Sequence, residues 1–301
     1  MMRRRQDRSR PIFRIRDARL LGRESAARVS WDGQDRITRA LGRGHKLRRR
    51  QSGGWRVRDR VLAAYAQLAA DYEQSVDTAS GFNAYYERPA MLKHLPEDLR
   101  GRSVLDAGCA AGWYTEQLLK RGATVTAIDA SPAMVEAAGR RVGRRAHIML
   151  QDLIDPLPFA TGSFDCVVSS LVLHYIEDWA PTFREFRRVL KPGGHVLFSI
   201  GHPFMDMTYF QRADYFRREW VTDVWKKAQS GTIEMHFVSR PLSEVINATT
   251  ACFTLVAVEE PQPIPEFLTQ FPDRADQYAY LMTRPHFLIV HAENSSQSTA
   301  G

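Results

Sequence analysis

The sequence predicts an α/β fold on a mostly parallel sheet, and three observations carry that prediction. From residue 103 onward, short apolar runs alternate with segments of helical period, the pattern of βαβ units. The link between the first run and its helix, Asp106-Ala107-Gly108-Cys109-Ala110-Ala111-Gly112, is an acid followed by glycines and small residues. Acids also stand at the ends of three successive runs, at Asp106, Asp129 and Asp152.

In chain order, residues 57–75 place Val61, Leu62, Tyr65, Leu68, Ala69 and Tyr72 at helical spacing, which predicts an amphipathic helix. A second helix is expected around Tyr85-Tyr86-Glu87-Arg88-Pro89. The first strand is Ser103–Ala107, followed by a helix over 113–121. The second is Thr124–Asp129, after which Ser131 as N-cap and Pro132 at the first helical position open a helix reaching about Val142. Strands three and four are His147–Gln151 and Phe164–Ser170. The next helix gathers Phe183, Phe186, Val189 and Leu190 on one face and is expected to end at Lys191-Pro192-Gly193-Gly194. His195–Ile200 is strand five, a helix near 241–251 leads to strand six at Thr254–Glu259, and a last strand spans Phe287–Ala292.

The domain plan that follows is an Arg-rich, solvated arm at 1–55, N-terminal helices at 56–102 covering a ligand, a core at 103–202, an aromatic lid insertion at 203–238, the rest of the sheet at 239–293, and a disordered tail at 294–301. Residues 1–50 hold sixteen Arg and one Lys against five acids, net +12, so the whole-chain charge of +8 leaves the remainder at −4. Nucleic-acid binding is therefore confined to the arm, which lacks the interleaved aromatics of a defined groove. Three well-separated cysteines, Cys109, Cys166 and Cys252, without metal-ligand spacing, predict neither a disulfide framework nor a metal site and fit a reducing cytoplasm. No apolar run approaches the roughly 20 residues that span a bilayer, and the N-terminus lacks the apolar stretch of a signal peptide. No heptad or edge-strand pattern specifies an oligomeric state.

Small residues at a strand-to-helix turn let a nucleotide-like ligand approach backbone N–H groups. A dinucleotide fingerprint would set glycines at 108, 110 and 113, but 110 is Ala and 113 is Trp, which disfavours NAD. Asp129, 23 residues after Asp106, stands where an acid accepts ribose hydroxyls. Asp152 can accept from an adenine amino group, with Leu153 against the ring. Each acid alone reads equally as a capping residue. Three in succession point to a ligand.

The stretches VLDAGCAAGWYTEQLLKRGATVTAIDASPAMVEAA, QDLIDPLPFATGSFDCVVSSLVLHYIEDW and FREFRRVLKPGGHVLFS, within residues 104–200, resemble the small-molecule (ubiquinone/menaquinone-type) domain of the class I S-adenosylmethionine (SAM)-dependent methyltransferases. The first loop is similar to that family's acid-x-Gly-x-Gly-x-Gly, with Ala110 in place of the middle glycine. The resemblance implies a Rossmann-like seven-stranded sheet with helices on both faces and an antiparallel last strand, and SAM as cofactor. It implies a pocket lined by Asp106, Gly108, Gly112, Asp129, Asp152, Leu153 and Ser170, with Met134 near the adenine. FNAYYERPA is similar to the family's leading helix, where Tyr86 would face the sulfonium and Arg88 would pair with the methionine carboxylate.

In-line methyl transfer needs alignment and exclusion of water, and a base of near-neutral pKa helps if the acceptor carries a proton. His174, at the family position nearest the methyl group, is the first candidate, and His202, beyond strand five, the second; His236 is weaker. The stretch 203–236, with Phe204, Tyr209, Phe210, Tyr215, Phe216, Trp220 and Trp225, is expected to cover a small hydrophobic or aromatic acceptor, methylated at oxygen or nitrogen. The Asn/Asp-Pro-Pro-Tyr motif of amino-methylating nucleic-acid enzymes is absent. The rival expectations are an RNA or protein methyltransferase guided by the arm, and a regulatory SAM-binding protein without turnover.

Overall fold

The computed structural model of the chain describes residues 54–295. Except for its last two residues, the expected arm lies outside the described residues.

The chain begins with α1 (Gly54–Gln74), α2 (Val76–Ala79) and a π-helical turn at Asn83–Glu87 that runs into α3 (Arg88–Lys93). The core follows as β1 (Ser103–Ala107), α4 (Trp113–Lys120), β2 (Thr124–Asp129), α5 (Pro132–Val142), β3 (His147–Leu150), β4 (Phe164–Ser170), α6 (Trp179–Val189) and β5 (Leu190–Gly201). Next come α7 (Pro203–Tyr209), β6 (Glu219–Lys227), β7 (Gly231–Ser239), α8 (Leu242–Thr250), β8 (Thr254–Glu259), α9 (Glu266–Gln270), α10 (Ala275–Leu281) and β9 (Phe287–Glu293).

Seven strands form one sheet in the order β3-β2-β1-β4-β5-β9-β8. β1 to β5 are parallel, and β9 runs antiparallel to both β5 and β8. This is the Rossmann-like arrangement with the expected antiparallel last strand. Strand periodicity explains its two covered faces. Val104, Val125, Val168 and Leu197 pack against α3 and α4 through Met91, Leu95, Tyr114 and Leu118. Their neighbours Leu105, Val167, Val196 and Phe198 pack on the opposite side against Phe183, Phe186 and Val245 of α6 and α8. The order reverses between β1 and β4, so the carboxyl ends of these strands diverge and leave a crevice where open α/β sheets bind ligands.

Two expectations are corrected. Lys191–Gly194 belongs to β5, which starts at Leu190, and the pairing with β4 shifts register between Phe164 and Cys166. Asn294, expected in a loose tail, donates through its side chain to the carbonyls of Arg187, Leu190 and Lys191, which ties the end of β9 to the end of α6. The insertion after β5 is a helix plus a two-stranded antiparallel ribbon, β6 with β7.

That ribbon and α1 form a cap beyond the strand ends. Val61, Leu68, Ile233 and Met235 pack with Ala111 and Met134 of the core. Asp71 of α1, buried, accepts the backbone N–H groups of Gln229 at 3.0 Å and Ser230 at 2.9 Å in the ribbon's turn. Burial and carboxylate satisfaction thus fix the ribbon over the crevice.

Candidate cofactor and acceptor site

Two adjoining cavities lie under the cap, with empty volumes of about 1150 Å³ and about 1170 Å³, mouths included. They share a wall of Tyr65, Tyr72, Asn83, Leu171 and Tyr175. The Tyr65 hydroxyl donates to that of Tyr175 at 3.0 Å, and the two rings meet edge to face, so the divider is braced from α1 to the loop after β4.

The first chamber opens at the ends of β1, β2, β3 and β4. Of the ten residues expected to bind the cofactor, Arg88, Gly108, Asp129, Asp152, Leu153 and Ser170 line it. Asp129 sits at the tip of β2, its carboxylate accepting the backbone N–H of Ala110 at 2.9 Å and that of Ser131 at 2.8 Å. One lone pair of each oxygen remains for a ligand hydroxyl. Burial pushes its carboxyl up to about 6 against those hydrogen bonds. Asp152 receives Nε of Arg58 at 2.8 Å, so α1 reaches across the mouth. The Gly108 backbone has φ +88°, and a Cβ there would lie 2.3 Å from Val172.

The other four, Tyr86, Asp106, Gly112 and Met134, are not among the residues lining this chamber. Asp106 follows Val104 on the α4 side of β1, and its carboxylate accepts the Thr115 hydroxyl at 2.6 Å. Burial pushes Asp106 up to about 7. Gly112 starts α4 at φ +80°, and an added Cβ would press on Ala138 of α5 at 3.1 Å, so small size there serves helix packing. Met134 is wholly buried beneath α1. Tyr86 is wholly buried among Phe82, Phe267, Leu281 and Phe287, its hydroxyl accepting the His286 N–H at 3.1 Å. α9 and α10, which have no counterpart in the predicted elements, enclose it.

Its neighbour Glu87 is buried too and receives hydroxyls from Tyr114 at 2.9 Å, Ser170 at 2.8 Å and Ser199. Burial raises its pKa. This carboxyl ties the leading helix to the tips of β4 and β5. No sequence motif marks it; the adjacent aromatic pair was the stronger signal.

The second chamber lies under α7 and the ribbon. Phe210, Trp225, Phe237 and Phe287 contribute rings, and Asp206, Asp223 and His174 contribute polar groups. The aromatic character expected of the insertion is therefore turned inward at Tyr209, Phe210 and Trp225, whereas Phe216 is exposed. Asp223 accepts from the Tyr209 hydroxyl at 3.1 Å and Trp225 Nε1 at 2.7 Å. Asp206 is buried, and its carboxyl is pushed up to about 6 by that burial.

His174 packs on Tyr175 and Phe237 at the chamber wall, and its Nδ1 finds no hydrogen-bond partner among the described residues. Burial, with Arg240 nearby, pushes it down to about 3. That burial favours the neutral form of His174. His202 lines neither chamber; its Nδ1 accepts the Phe204 N–H at 3.0 Å as the N-cap of α7, and Nε2 lies 2.7 Å from a Glu260 oxygen. His236 bonds Thr222 across the ribbon.

Comparison with known proteins agrees with this geometry. A family model described as a methyltransferase domain matches residues 105–198. A malonyl-[acyl-carrier protein] O-methyltransferase of Erwinia pyrifoliae is 37% identical over 141 residues, 46% of this chain and 50% of that protein. A ubiquinone biosynthesis O-methyltransferase of Xanthomonas oryzae pv. oryzae is 37% identical over 105 residues, 34% of this chain and 44% of that protein. The chain spans about half the length of these curated relatives. The solved structure of an S-adenosylmethionine-dependent methyltransferase from Mesorhizobium loti is 30% identical, with a TM-score of 0.54, covering 69% of this chain and 97% of that one. Sheet order, strand-end acids and that near-complete match together assign the chain to the Rossmann-like, class I S-adenosylmethionine-dependent methyltransferase family.

Proposed function

We propose that the protein transfers the methyl group of SAM to an oxygen or nitrogen of a small, largely apolar acceptor. The adjoining of two chambers that share lining residues carries this reading, because transfer needs two molecules held end to end with water excluded. When bound, SAM supplies a methyl group on a positively charged sulfur, an electrophile that needs no further activation.

The chain's own residues do the rest. Asp129 accepts ribose hydroxyls, Asp152 and Leu153 hold the adenine, and Arg88 takes the methionine carboxylate. Asp106, Gly112, Met134 and Tyr86 act through packing. Tyr65 and Tyr175 frame the junction of the two chambers, and the cap keeps solvent out. In the second chamber neutral His174 can accept a hydrogen bond from the acceptor through Nδ1 and so orient it. Asp206, pushed up to about 6, is the better seat for a proton lost near neutral pH, on a carboxylate oxygen. Two acids, Asp206 and Asp223, and two lysines, Lys226 and Lys227, line that chamber, so its charges balance and its rings favour a largely apolar acceptor. The O-methyltransferase relatives favour oxygen. The three free cysteines fit a protein working in the reducing cytoplasm.

The test is methyl-labelled SAM incubated with panels of phenols, amines and carboxylic acids. Labelled phenol, amine or carboxylic acid with equimolar S-adenosylhomocysteine supports the proposal and identifies the acceptor class. No product from any panel, despite cofactor binding, would favour a binding protein without turnover; label in RNA only, dependent on residues 1–55, would favour the nucleic-acid reading.

A further inference from the structure

At one end of the first chamber, the carboxylate of Asp77 in α2 bridges two guanidinium groups. Arg88 Nη1 donates to Oδ1 at 3.1 Å, and Arg141 Nη2, from the last turn of α5, donates to Oδ2. All three residues line the chamber. The Arg88 guanidinium carbon lies over the Trp113 ring, 4.1 Å from its centroid, a contact that helps hold the side chain in place. Arg141 Nη1 is buried and has no hydrogen-bond partner among the described residues. Two cations thus converge on one internal carboxylate, leaving a unit of positive charge and a donor unused in a buried place, where an unmet donor is costly.

The exposures decide which partner can leave. The Arg88 and Arg141 side chains are 6% and 16% exposed, whereas Asp77 is 29% exposed. Asp77 sits on a helix of only four residues, so it can turn into solvent where a carboxylate is well hydrated, while the guanidiniums stay. We propose that Arg141 joins Arg88 in a clamp for the carboxylate of the cofactor's amino-acid end, and that Asp77 is an internal stand-in which the ligand displaces. The inference rests on the SAM reading and adds a second cation and a competitor to it. Bidentate pairing of guanidinium with carboxylate supplies both the strength and the orientation. It also makes cofactor loading an exchange, in which Asp77 holds the clamp closed until a better-placed carboxylate arrives.

The experiment is calorimetric titration of the full chain with S-adenosylhomocysteine, which carries the amino-acid end, and with 5′-methylthioadenosine, which lacks it. Arg141→Ala is expected to weaken S-adenosylhomocysteine roughly 10- to 100-fold while leaving methylthioadenosine within about twofold, as fits one charge-assisted contact. Arg141→Lys is expected to fall between. Asp77→Asn is expected to tighten S-adenosylhomocysteine several-fold and not methylthioadenosine. The methylthioadenosine arm reports that each variant is folded. Equal losses for both ligands in Arg141→Ala, no loss for either, or weaker S-adenosylhomocysteine binding in Asp77→Asn would overturn the proposal while leaving the SAM reading intact. A wild-type chain that binds neither ligand would remove the SAM reading and this inference with it.

Discussion

Asp129 accepts the backbone N–H of Ala110 at 2.9 Å, and this one hydrogen bond joins the tip of β2 to the turn after β1. Ala110 has φ +45°, a left-handed conformation that costs an L-residue energy. The carboxylate is thus both a prospective ligand for a ribose and the restraint that holds the turn in its strained shape. Leu171, on the wall between the chambers, is also left-handed at φ +55°. Two of the three left-handed non-glycine residues among the described residues thus line the first chamber, the third being Gln211 beyond α7.

Ala110→Gly should relieve that strain. Left-handed geometry costs about 1–2 kcal/mol for a non-glycine residue, while glycine loses about 0.4–1 kcal/mol through the freedom of the unfolded chain. A net gain of roughly 0.5–1 kcal/mol is expected, measured as a higher urea midpoint at unchanged slope. A lower midpoint would show that the Ala110 methyl packs usefully.

Gly108→Ala should be severe, because the new Cβ would overlap Val172 at 2.3 Å in a backbone conformation of φ +88°. Destabilisation of more than about 2 kcal/mol is expected. Val172→Ala in the same chain should recover part of it, since it removes the methyl groups at 2.3 and 2.8 Å and leaves a Cβ at 3.0 Å beside the backbone penalty. No recovery would place the whole cost in the backbone.

Asp106 gives a pH signature. Its carboxyl stands at about 7 when folded, chiefly because it is buried, against an unfolded value of about 4. The folded state therefore binds the proton more tightly, and this contribution to stability is present at low pH and lost as pH rises from about 4 to about 7. The gap corresponds to roughly 4 kcal/mol at most. Asp106→Asn should be the more stable relative to wild type the higher the pH across that window, in paired thermal melts. Carboxylates with lowered pKa, such as Asp165 and Glu185, act in the opposite direction but cancel in the difference. A constant difference would mean that Asp106 does not titrate there.

Turnover should follow Asp206 rather than His174. His174, pushed down to about 3, stays neutral across the working range, so His174→Gln should lower the rate without moving the acid limb of the pH profile. Asp206→Asn should remove a limb near pH 6. A limb lost with His174 instead would restore that residue as the base.

The strands of the main sheet were legible because each is a short apolar run set between helical segments or turn residues, and β1, β2, β4 and β8 match their expected limits. The ribbon was not: Glu219–Lys227 mixes charged residues and tryptophans, and its inward face has meaning only once α1 lies beneath it. The loop residues Gly108 and Asp129 were readable from spacing. Asp106 shared that motif, yet strand alternation turns it toward Thr115. The burial of Tyr86 was not legible, because α9 and α10, which cover it, lie roughly 180–195 residues away in sequence and carry no motif. Asp206 and Arg141 gain their importance from burial and from partners on other elements, which one sequence does not display.

The most direct test of the central claim is calorimetric titration with S-adenosylhomocysteine, run beside NAD and repeated with Asp129→Ala. The account predicts micromolar binding of S-adenosylhomocysteine, none of NAD, and a loss of roughly 10-fold or more on removing the carboxylate. Equal affinity in the variant, or preference for NAD, would contradict it.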